Sequence, residues 1–211
     1  MKNLTTALAI LLCFKATAQS IDTVIVTTAY TSYFNYDLHE PLYVSYKLYH
    51  GGGDCSRKGD RFTTDGLAQS ATATDYKWGG YDKGHLANSK DFAYDCDLQK
   101  STFHFYNCVP QTPALNRGSF KSLETIVREK SQTDSLLIIT GSIFGNEKIG
   151  IHQIAIPDKC FKIVWSLATK NILFCRVFNN NEKGDFIDME LSDLLSLLSY
   201  KLDKTWLEFT K

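Results

Sequence analysis

The sequence lacks several features that mark large classes of proteins. None of its apolar stretches reaches the roughly 20 residues that a membrane-spanning helix needs. It has no internal repeat and no low-complexity tract, and it contains neither a C-x-x-C pair nor two histidines at the spacing of zinc ligands. These absences disfavour a helical membrane protein, a repeat protein and a domain built around structural zinc.

Positive charge is not in excess either. The chain carries 23 Lys and Arg against 23 Asp and Glu. Proteins that act on nucleic acids usually present a basic surface. Net charge alone therefore disfavours a nucleic-acid enzyme, unless the basic residues concentrate in one groove or a metal ion supplies the missing positive charge.

The N-terminus has the three parts of a secretory signal peptide. Lys2 lies in a short charged region, residues 4–14 are apolar, and Ala16-Thr17-Ala18 forms a small-residue cleavage site. We predict cleavage near Ala18, a secreted or periplasmic protein without a membrane anchor, and a single domain over residues 19–211. Lipidation at Cys13 and a buried first helix are the alternatives. Cleavage would remove two lysines and leave a slightly acidic chain.

Five of the six cysteines lie outside the predicted signal peptide. An odd number leaves at least one thiol free or paired between molecules. Cys160 and Cys175 lie in two apolar runs joined by a short polar turn, which predicts a hairpin. We expect a disulfide between these two cysteines across the hairpin.

Hydrophobic periodicity predicts a mixture of strands and helices. In chain order the pattern predicts strands within 21–50, a long loop over 54–80, a helix over 119–130, a strand over 136–140, a strand pair around 160–178 and an apolar helical stripe over 191–207. Helices and strands do not alternate regularly, which indicates an α+β fold and not a doubly wound sheet.

One segment concentrates residues with chemical potential. Asp82, Lys83, Gly84 and His85 are consecutive, and Asn116 follows downstream. Hydrolysis of a phosphodiester needs a base that deprotonates water and a cation that neutralises charge on the phosphate. A histidine is mostly neutral at physiological pH and can act as that base, and Mg²⁺ accepts an amide oxygen among its ligands. By spacing alone, a hydrogen-bonded histidine and a turn-forming asparagine are the more common explanations.

The order of several motifs makes the catalytic interpretation specific. The segments are Asp82-Lys83-Gly84-His85-Leu86-Ala87, Phe105-Tyr106-Asn107-Cys108-Val109-Pro110-Gln111, Leu115-Asn116 and Leu123-Glu124-Thr125-Ile126-Val127-Arg128. Together they resemble the DNA/RNA non-specific endonuclease family, the ββα-metal nucleases of the Serratia-nuclease and endonuclease-G type. The resemblance covers roughly residues 40–180. It implies a central antiparallel sheet flanked by helices, and an enzyme that cuts DNA and RNA with Mg²⁺, for which Mn²⁺ can substitute.

The resemblance also implies a role for each matching residue. His85 would be the general base, and Asn116 the single direct protein ligand of a hydrated Mg²⁺. Glu124 would hold metal-bound water, and Asn107 would help to position the catalytic site. Arg128 would bind the scissile phosphate or stabilise its transition state. Without the motif, Glu124 and Arg128 would be read as a surface ion pair between helix neighbours, which stabilises little.

Two positions depart from the family pattern or remain open. Lys83 stands where arginine is more common, which keeps the charge but loses bidentate phosphate binding. A second phosphate contact is expected from the preceding loop, from Arg57 or Arg61, and we favour Arg61. Asp82 is interpreted as a structural partner. Aromatic residues of the loop, such as Tyr76, Trp78 and Tyr81, are candidates for stacking on bases.

Two other classes of function remain as alternatives. One is a secreted nucleic-acid-binding protein that kept the fold but lost catalysis. The other is a structural domain stapled by disulfides. The presence together of a base, a metal ligand and an acid for metal-bound water favours the enzyme over both alternatives.

Overall fold

The computed structural model describes residues 18–77 and 79–203. The predicted signal peptide before Ala18, Trp78 and the last residues of the predicted C-terminal helix lie outside this part of the chain. No helix within the described residues is long and apolar enough to cross a membrane.

Nine strands and three α-helices are found in the described residues. They are β1 (Thr23–Val26), β2 (Thr31–Asn35), β3 (Glu40–Leu48), β4 (Asp82–His85), α1 (Cys96–Ser101), β5 (Cys108–Gln111), α2 (Lys121–Lys130), β6 (Leu136–Ile149), β7 (Ile154–Ser166), β8 (Ile172–Asn179), β9 (Phe186–Asp188) and α3 (Leu191–Leu197). Two short 3₁₀ helices cover Ser89–Phe92 and Phe105–Asn107, and a π-helical segment at Leu115–Phe120 leads directly into α2. The predicted α+β class is confirmed.

Seven strands form one antiparallel sheet in the order β1-β2-β3-β6-β7-β8-β9, and β4 and β5 form a separate antiparallel pair. The predicted strands within 21–50 and the strand from Leu136 are confirmed. The predicted loop over 54–80 contains no strand or helix in its described part. This loop delivers the chain into β4, and β4, β5 and α2 together make the ββα unit that carries the sequence motif.

Side chains of β7 alternate between two cores on the two faces of the large sheet, as the period of a strand requires. Cys160 and Val164 join a core that includes Leu123 and Val127 of α2. Phe161 and its alternating neighbours join the core on the other face, which α3 covers through Leu194. The ββα unit therefore rests on one face of the sheet only.

The predicted disulfide between Cys160 and Cys175 was wrong, although their two strands do pair. Cys175 lies opposite Ile163, and Cys160 lies opposite Phe178. Because Ile163 lies three positions after Cys160, an odd offset, the two sulfurs project to opposite faces of the sheet. The disulfide instead joins Cys55 in the long loop to Cys96 at the start of α1, and Cys108, Cys160 and Cys175 are free thiols.

The predicted C-terminal helix was too long. Helix α3 ends at Leu197, and Leu198 is already extended. The chain then enters the core, where the hydroxyl of Tyr200 shares its proton between the carbonyls of Leu42 and Ser142, at 2.9 and 2.8 Å. These tertiary contacts override the helical period of the leucines.

Candidate active site

Strand β4 ends at His85, whose imidazole is buried beside two aromatic rings. The ring centroid lies 4.6 Å from that of Phe62 and 4.8 Å from that of Phe103. Burial, and to a smaller extent the positive charge of Arg57, lower the pKa of His85 to about 3. Its Nε2 has no hydrogen-bond partner among the described residues. His85 is therefore a neutral imidazole with a free nitrogen.

Gly84 allows β4 to approach β5 closely enough to place His85. A Cβ atom at Gly84 would lie 2.1 Å from the side-chain oxygen of Gln111, far inside van der Waals contact. The glycine of the motif is thus explained by packing of the strand pair.

Asn107 holds the backbone of the segment that follows His85 through side-chain hydrogen bonds. Its side-chain oxygen accepts a hydrogen bond from the N–H of Ala87 at 2.8 Å, and its amide donates to the carbonyls of Ala87 and Thr102. Asn107 is completely buried and does not line the cleft described below. Its geometry is that of a positioning residue rather than of a group that touches substrate.

Asn116 lies in the π-helical segment, and Asp82 fixes its amide. The Asn116 Nδ2 donates to the Asp82 carboxylate at 2.9 Å, which leaves the amide oxygen free to bind a cation. Arg117 holds the same carboxylate at 2.8 and 2.6 Å. The hydrogen bond from Arg117 is the largest effect that lowers the pKa of Asp82, so Asp82 remains an acceptor. This agrees with its predicted structural role.

Glu124 projects from α2 and is almost completely buried. Its Oε2 accepts a short hydrogen bond from the side chain of Asn88, and its Oε1 lies 3.8 Å from the Nζ of Lys162. Burial raises the pKa of Glu124 to about 7, against the opposing effect of Lys162. The carboxylate is therefore held from both sides in a largely dry environment.

Arg128 forms its ion pair with Asp91 rather than with its helix neighbour Glu124. The distance from its Nη1 to Asp91 Oδ1 is 2.5 Å, and Asp91 also accepts a hydrogen bond from Tyr46 at 2.9 Å. The side chain of Arg128 is 18% exposed and lines the cleft. The alternative of a surface pair between Glu124 and Arg128 does not describe this site.

These side chains meet in a cleft of about 430 Å³. Its lining residues are Arg57, Lys83, His85, Asn88, Ser89, Lys90, Asn116, Arg117, Lys121, Glu124 and Arg128. Six of them are lysine or arginine, and Glu124 is the one acid among them. A chain without excess positive charge thus concentrates basic residues at this groove, which is the arrangement that a polyanionic ligand requires.

The cleft distinguishes the two candidate loop arginines. Arg57 lines it, with its guanidinium 5.4 Å from the ring centre of Phe103. Arg61, which the sequence analysis favoured, is exposed and does not belong to the lining. The disulfide at Cys55 ties the chain two residues before Arg57 to the start of α1.

Lys83, a predicted substrate-binding residue, lines the cleft with its Nζ 5.1 Å from the ring centre of Tyr76. Tyr76 itself is buried in a cluster with Phe105 and Cys108, so it is not available to stack on a base. Tyr81 packs against the same cluster. Neither described aromatic residue supports the stacking hypothesis.

The sequence analysis missed several residues of this site. Lys90, Arg117 and Lys121 line the cleft, and Asn88 and Lys162 contact Glu124. Lys162 had a visible signal, because it is a charged residue inside an apolar run of a predicted strand. A buried lysine of that kind requires an acidic partner.

A family model for DNA/RNA non-specific endonucleases matches residues 11–202 of this chain. The chain belongs to this family. Mitochondrial endonuclease G of Bos taurus is 28% identical over 128 residues, a match that covers 53% of this chain and 43% of the relative. A nuclease of Nostoc sp. is 35% identical over 94 residues, which cover 44% of this chain and 34% of the relative. Each match thus spans less than half of the relative's length.

Known structures agree with the family at the level of the fold. A chain in the crystal structure of an EndoG/EndoGI complex superposes with a TM-score of 0.75 at 20% identity, and the match covers 85% of this chain and 84% of that one. The fold is therefore that of the ββα-metal nucleases, as predicted from the motifs. The family is one of metal-dependent nucleases, and it acts on nucleic acids.

Proposed function

We propose that this chain is a Mg²⁺-dependent endonuclease that hydrolyses DNA and RNA without sequence specificity, and that Mn²⁺ can substitute for Mg²⁺. The observation that carries this proposal is a neutral, unpartnered imidazole, His85, in the wall of a cleft lined by six cationic side chains. Such a base can accept a proton from water, and the surrounding cations attract phosphates.

The donor groups at the site fit a hard divalent cation. Asn116 would hold it through the amide oxygen that Asp82 leaves free, and Glu124 would hold water molecules bound to it. When bound, Mg²⁺ would supply positive charge for the phosphate and the leaving oxygen. The proposed metal ligand and the acid for metal-bound water line the same cleft as His85.

The remaining steps belong to the side chains of the chain itself. His85 accepts the proton of the attacking water on its neutral imidazole, which lines the cleft. Arg128, oriented by Asp91, binds the phosphate, and Arg57 and Lys83 extend the contact along the backbone of the substrate. Contacts from lysine and arginine to phosphates carry no base information, which supports cleavage without sequence specificity.

The protein acts, in this proposal, outside the cytoplasm after removal of its first 18 residues. The sequence pattern of residues 1–18 supports this localisation. The disulfide between Cys55 and Cys96 supports it independently, because disulfides persist mainly in oxidising compartments.

The test is digestion of plasmid DNA and of RNA by residues 19–211, with Mg²⁺ or with EDTA. Cleavage is expected with Mg²⁺ only. His85→Ala should lower kcat by about 10²- to 10⁴-fold, the usual contribution of a general base. Asn116→Ala should abolish cleavage at low Mg²⁺, whereas Asn146→Ala, at an exposed asparagine outside the cleft, should cleave like wild type.

Intact substrates after incubation with folded wild-type protein and Mg²⁺ would contradict the proposal. A shift of labelled DNA by that same inactive protein would instead favour the non-catalytic binding protein.

A further inference from the structure

A lysine is buried beneath the floor of the cleft, outside the set of residues that line it. Lys162 lies on β7 and is 1% exposed. Lys162 is two residues from both Cys160 and Val164, so its side chain projects to the same face of the sheet as theirs. This is the face on which α2 packs. A charged ammonium group in such a place costs several kcal/mol unless other groups compensate it.

The closest compensating groups are one carboxylate and one aromatic ring, and Asp91 adds a weaker attraction. The Nζ of Lys162 lies 3.8 Å from Glu124 Oε1 and 4.7 Å from the ring centre of Phe120. It makes no hydrogen bond to any described residue. Glu124 is therefore the charged group on which the ammonium acts most directly.

Glu124 is in turn held at both oxygens, by groups that come from two different parts of the fold. Asn88, which precedes a 3₁₀ helix, binds Oε2, and Lys162 on the sheet faces Oε1. Arg128, the other nearby cation, is already paired with Asp91. The charge of Glu124 is thus balanced mainly from below, by Lys162.

Stability alone does not account for this arrangement. A buried ion pair contributes little to stability compared with an apolar pair of the same volume, and Cys160 and Val164 show that this face accepts apolar residues. A lysine at position 162 is explained better by what its charge does to Glu124.

We propose that Lys162 is a positioning residue that holds the Glu124 carboxylate in place and balances its charge, so that the carboxylate can bind the water shell of the divalent cation. This inference rests on the proposed function of Glu124. Lys162 does not touch substrate, because it is buried below the cleft. It acts on the metal site through Glu124, the carboxylate closest to its Nζ.

The experiment compares wild type (residues 19–211) with Lys162→Met, Glu124→Gln and the double variant, and uses Lys159→Met on the same strand as the control. Mn²⁺ binding is measured without nucleic acid, by electron paramagnetic resonance of the free ion. Steady-state cleavage of DNA is measured separately over a range of Mg²⁺ concentrations.

Lys162→Met should weaken Mn²⁺ binding about 10- to 100-fold, as loss of an outer support of a metal site does. At saturating Mg²⁺ the KM for DNA should stay within about twofold of wild type, since no phosphate contact is lost. In the Glu124→Gln background, Lys162→Met should have no further effect on Mn²⁺ affinity. Lys159→Met should bind Mn²⁺ like wild type.

Wild-type affinity in Lys162→Met, or an equal loss of affinity in both backgrounds, overturns the role of Lys162 and leaves the proposed nuclease intact. A wild-type protein that neither binds Mn²⁺ nor cuts DNA overturns both proposals. If Lys162→Met does not fold, Glu124→Gln and the double variant carry the test. Equal Mn²⁺ affinities in these two support the proposal, and unequal ones overturn it.

Discussion

The two faces of the seven-stranded sheet are built from the same strands but have different chemistry. On one face, α3 covers a core of aromatic and aliphatic side chains that includes Phe161, Ile163 and Trp165 of β7. On the other face, β7 contributes Lys162, which meets Glu124 of α2. One strand therefore serves stability on one side and the site on the other.

The comparison shows where the fold tolerates charged groups. Lys162, Asp91 and Glu124 are all at least nine-tenths buried on the face that carries the ββα unit. They are arranged as compensated pairs, Lys162 with Glu124 and Asp91 with Arg128. Burial of charge is costly, and in the layer directly beneath the cleft the buried Glu124 carboxylate has a use at the site.

The largest effect is expected from the apolar face. Trp165 is 2% exposed, and Trp165→Ala should lower the free energy of unfolding by about 3–5 kcal/mol through loss of buried surface and creation of a cavity. Chemical denaturation followed by far-UV circular dichroism measures this change. Trp165→Phe, which keeps an aromatic ring, should lose clearly less.

Trp165→Ala also tests whether the two faces of the sheet are independent, because it should leave Mn²⁺ binding and DNA cleavage unchanged. Folded Trp165→Ala should bind Mn²⁺ and turn over DNA within about twofold of wild type, because additivity holds for sites without shared partners. A drop in Mn²⁺ affinity similar to that expected for Lys162→Met would show that the two faces are coupled. It would contradict the view that one face contributes to stability and the other to the metal site.

The second-largest effect is a pH dependence of stability. It arises from His85, on the face of the sheet that carries the candidate active site. The folded pKa of His85, about 3, lies well below the roughly 6.5 of an unfolded histidine. The unfolded state therefore binds more protons between these values, and the stability that the neutral imidazole contributes is lost as pH falls below about 6.5. Between pH 7 and pH 4.5 this loss should amount to about 2–3 kcal/mol.

His85→Asn removes this titration and serves as the comparison. The difference in unfolding free energy between wild type and the variant, measured by denaturant titration at both pH values, isolates His85 from the other titrating groups. Wild type should lose about 2–3 kcal/mol more than the variant on acidification. Equal losses would mean that His85 is not held neutral by burial.

The sequence predicted the site best where several residues of a motif had to occur together. His85, Asn116, Glu124 and Arg128 were all expected, and the structure places their side chains around one cleft. Gly84 belongs to the same motif because the close approach of β4 to β5 leaves no room for a Cβ atom. Local constraints of this kind act on residues close together in the chain, and can therefore be predicted from a sequence motif.

Features that depend on how distant segments meet could not be predicted in the same way. The register of β7 against β8, which places Cys175 opposite Ile163 and Cys160 opposite Phe178, is set by the turn between the strands together with an irregularity between Val164 and Trp165 that no sequence pattern revealed. The true disulfide joins a loop without regular structure to α1, across 41 residues. The irregular loop gave no period from which the positions of Arg57 and Arg61 could be derived.

The smallest effect is expected at the mouth of the cleft and separates these two arginines. Arg57→Ala should lower kcat/KM for DNA about tenfold, because a charge-assisted phosphate contact contributes on the order of 1.4 kcal/mol. Arg61→Ala, at an exposed arginine of the same loop outside the cleft, should stay within about twofold of wild type. Initial rates at low substrate and at fixed ionic strength measure both values.

Ionic strength provides the control for this last pair. A single charge removed anywhere on the loop weakens general attraction to DNA, and salt screens that attraction. If Arg57 contacts the phosphate directly, the ratio between the two variants should persist when rates are compared at higher salt. A ratio that approaches one with added salt would mean that Arg57 contributes only to the long-range attraction between the basic groove and DNA, as the other basic residues that line it do.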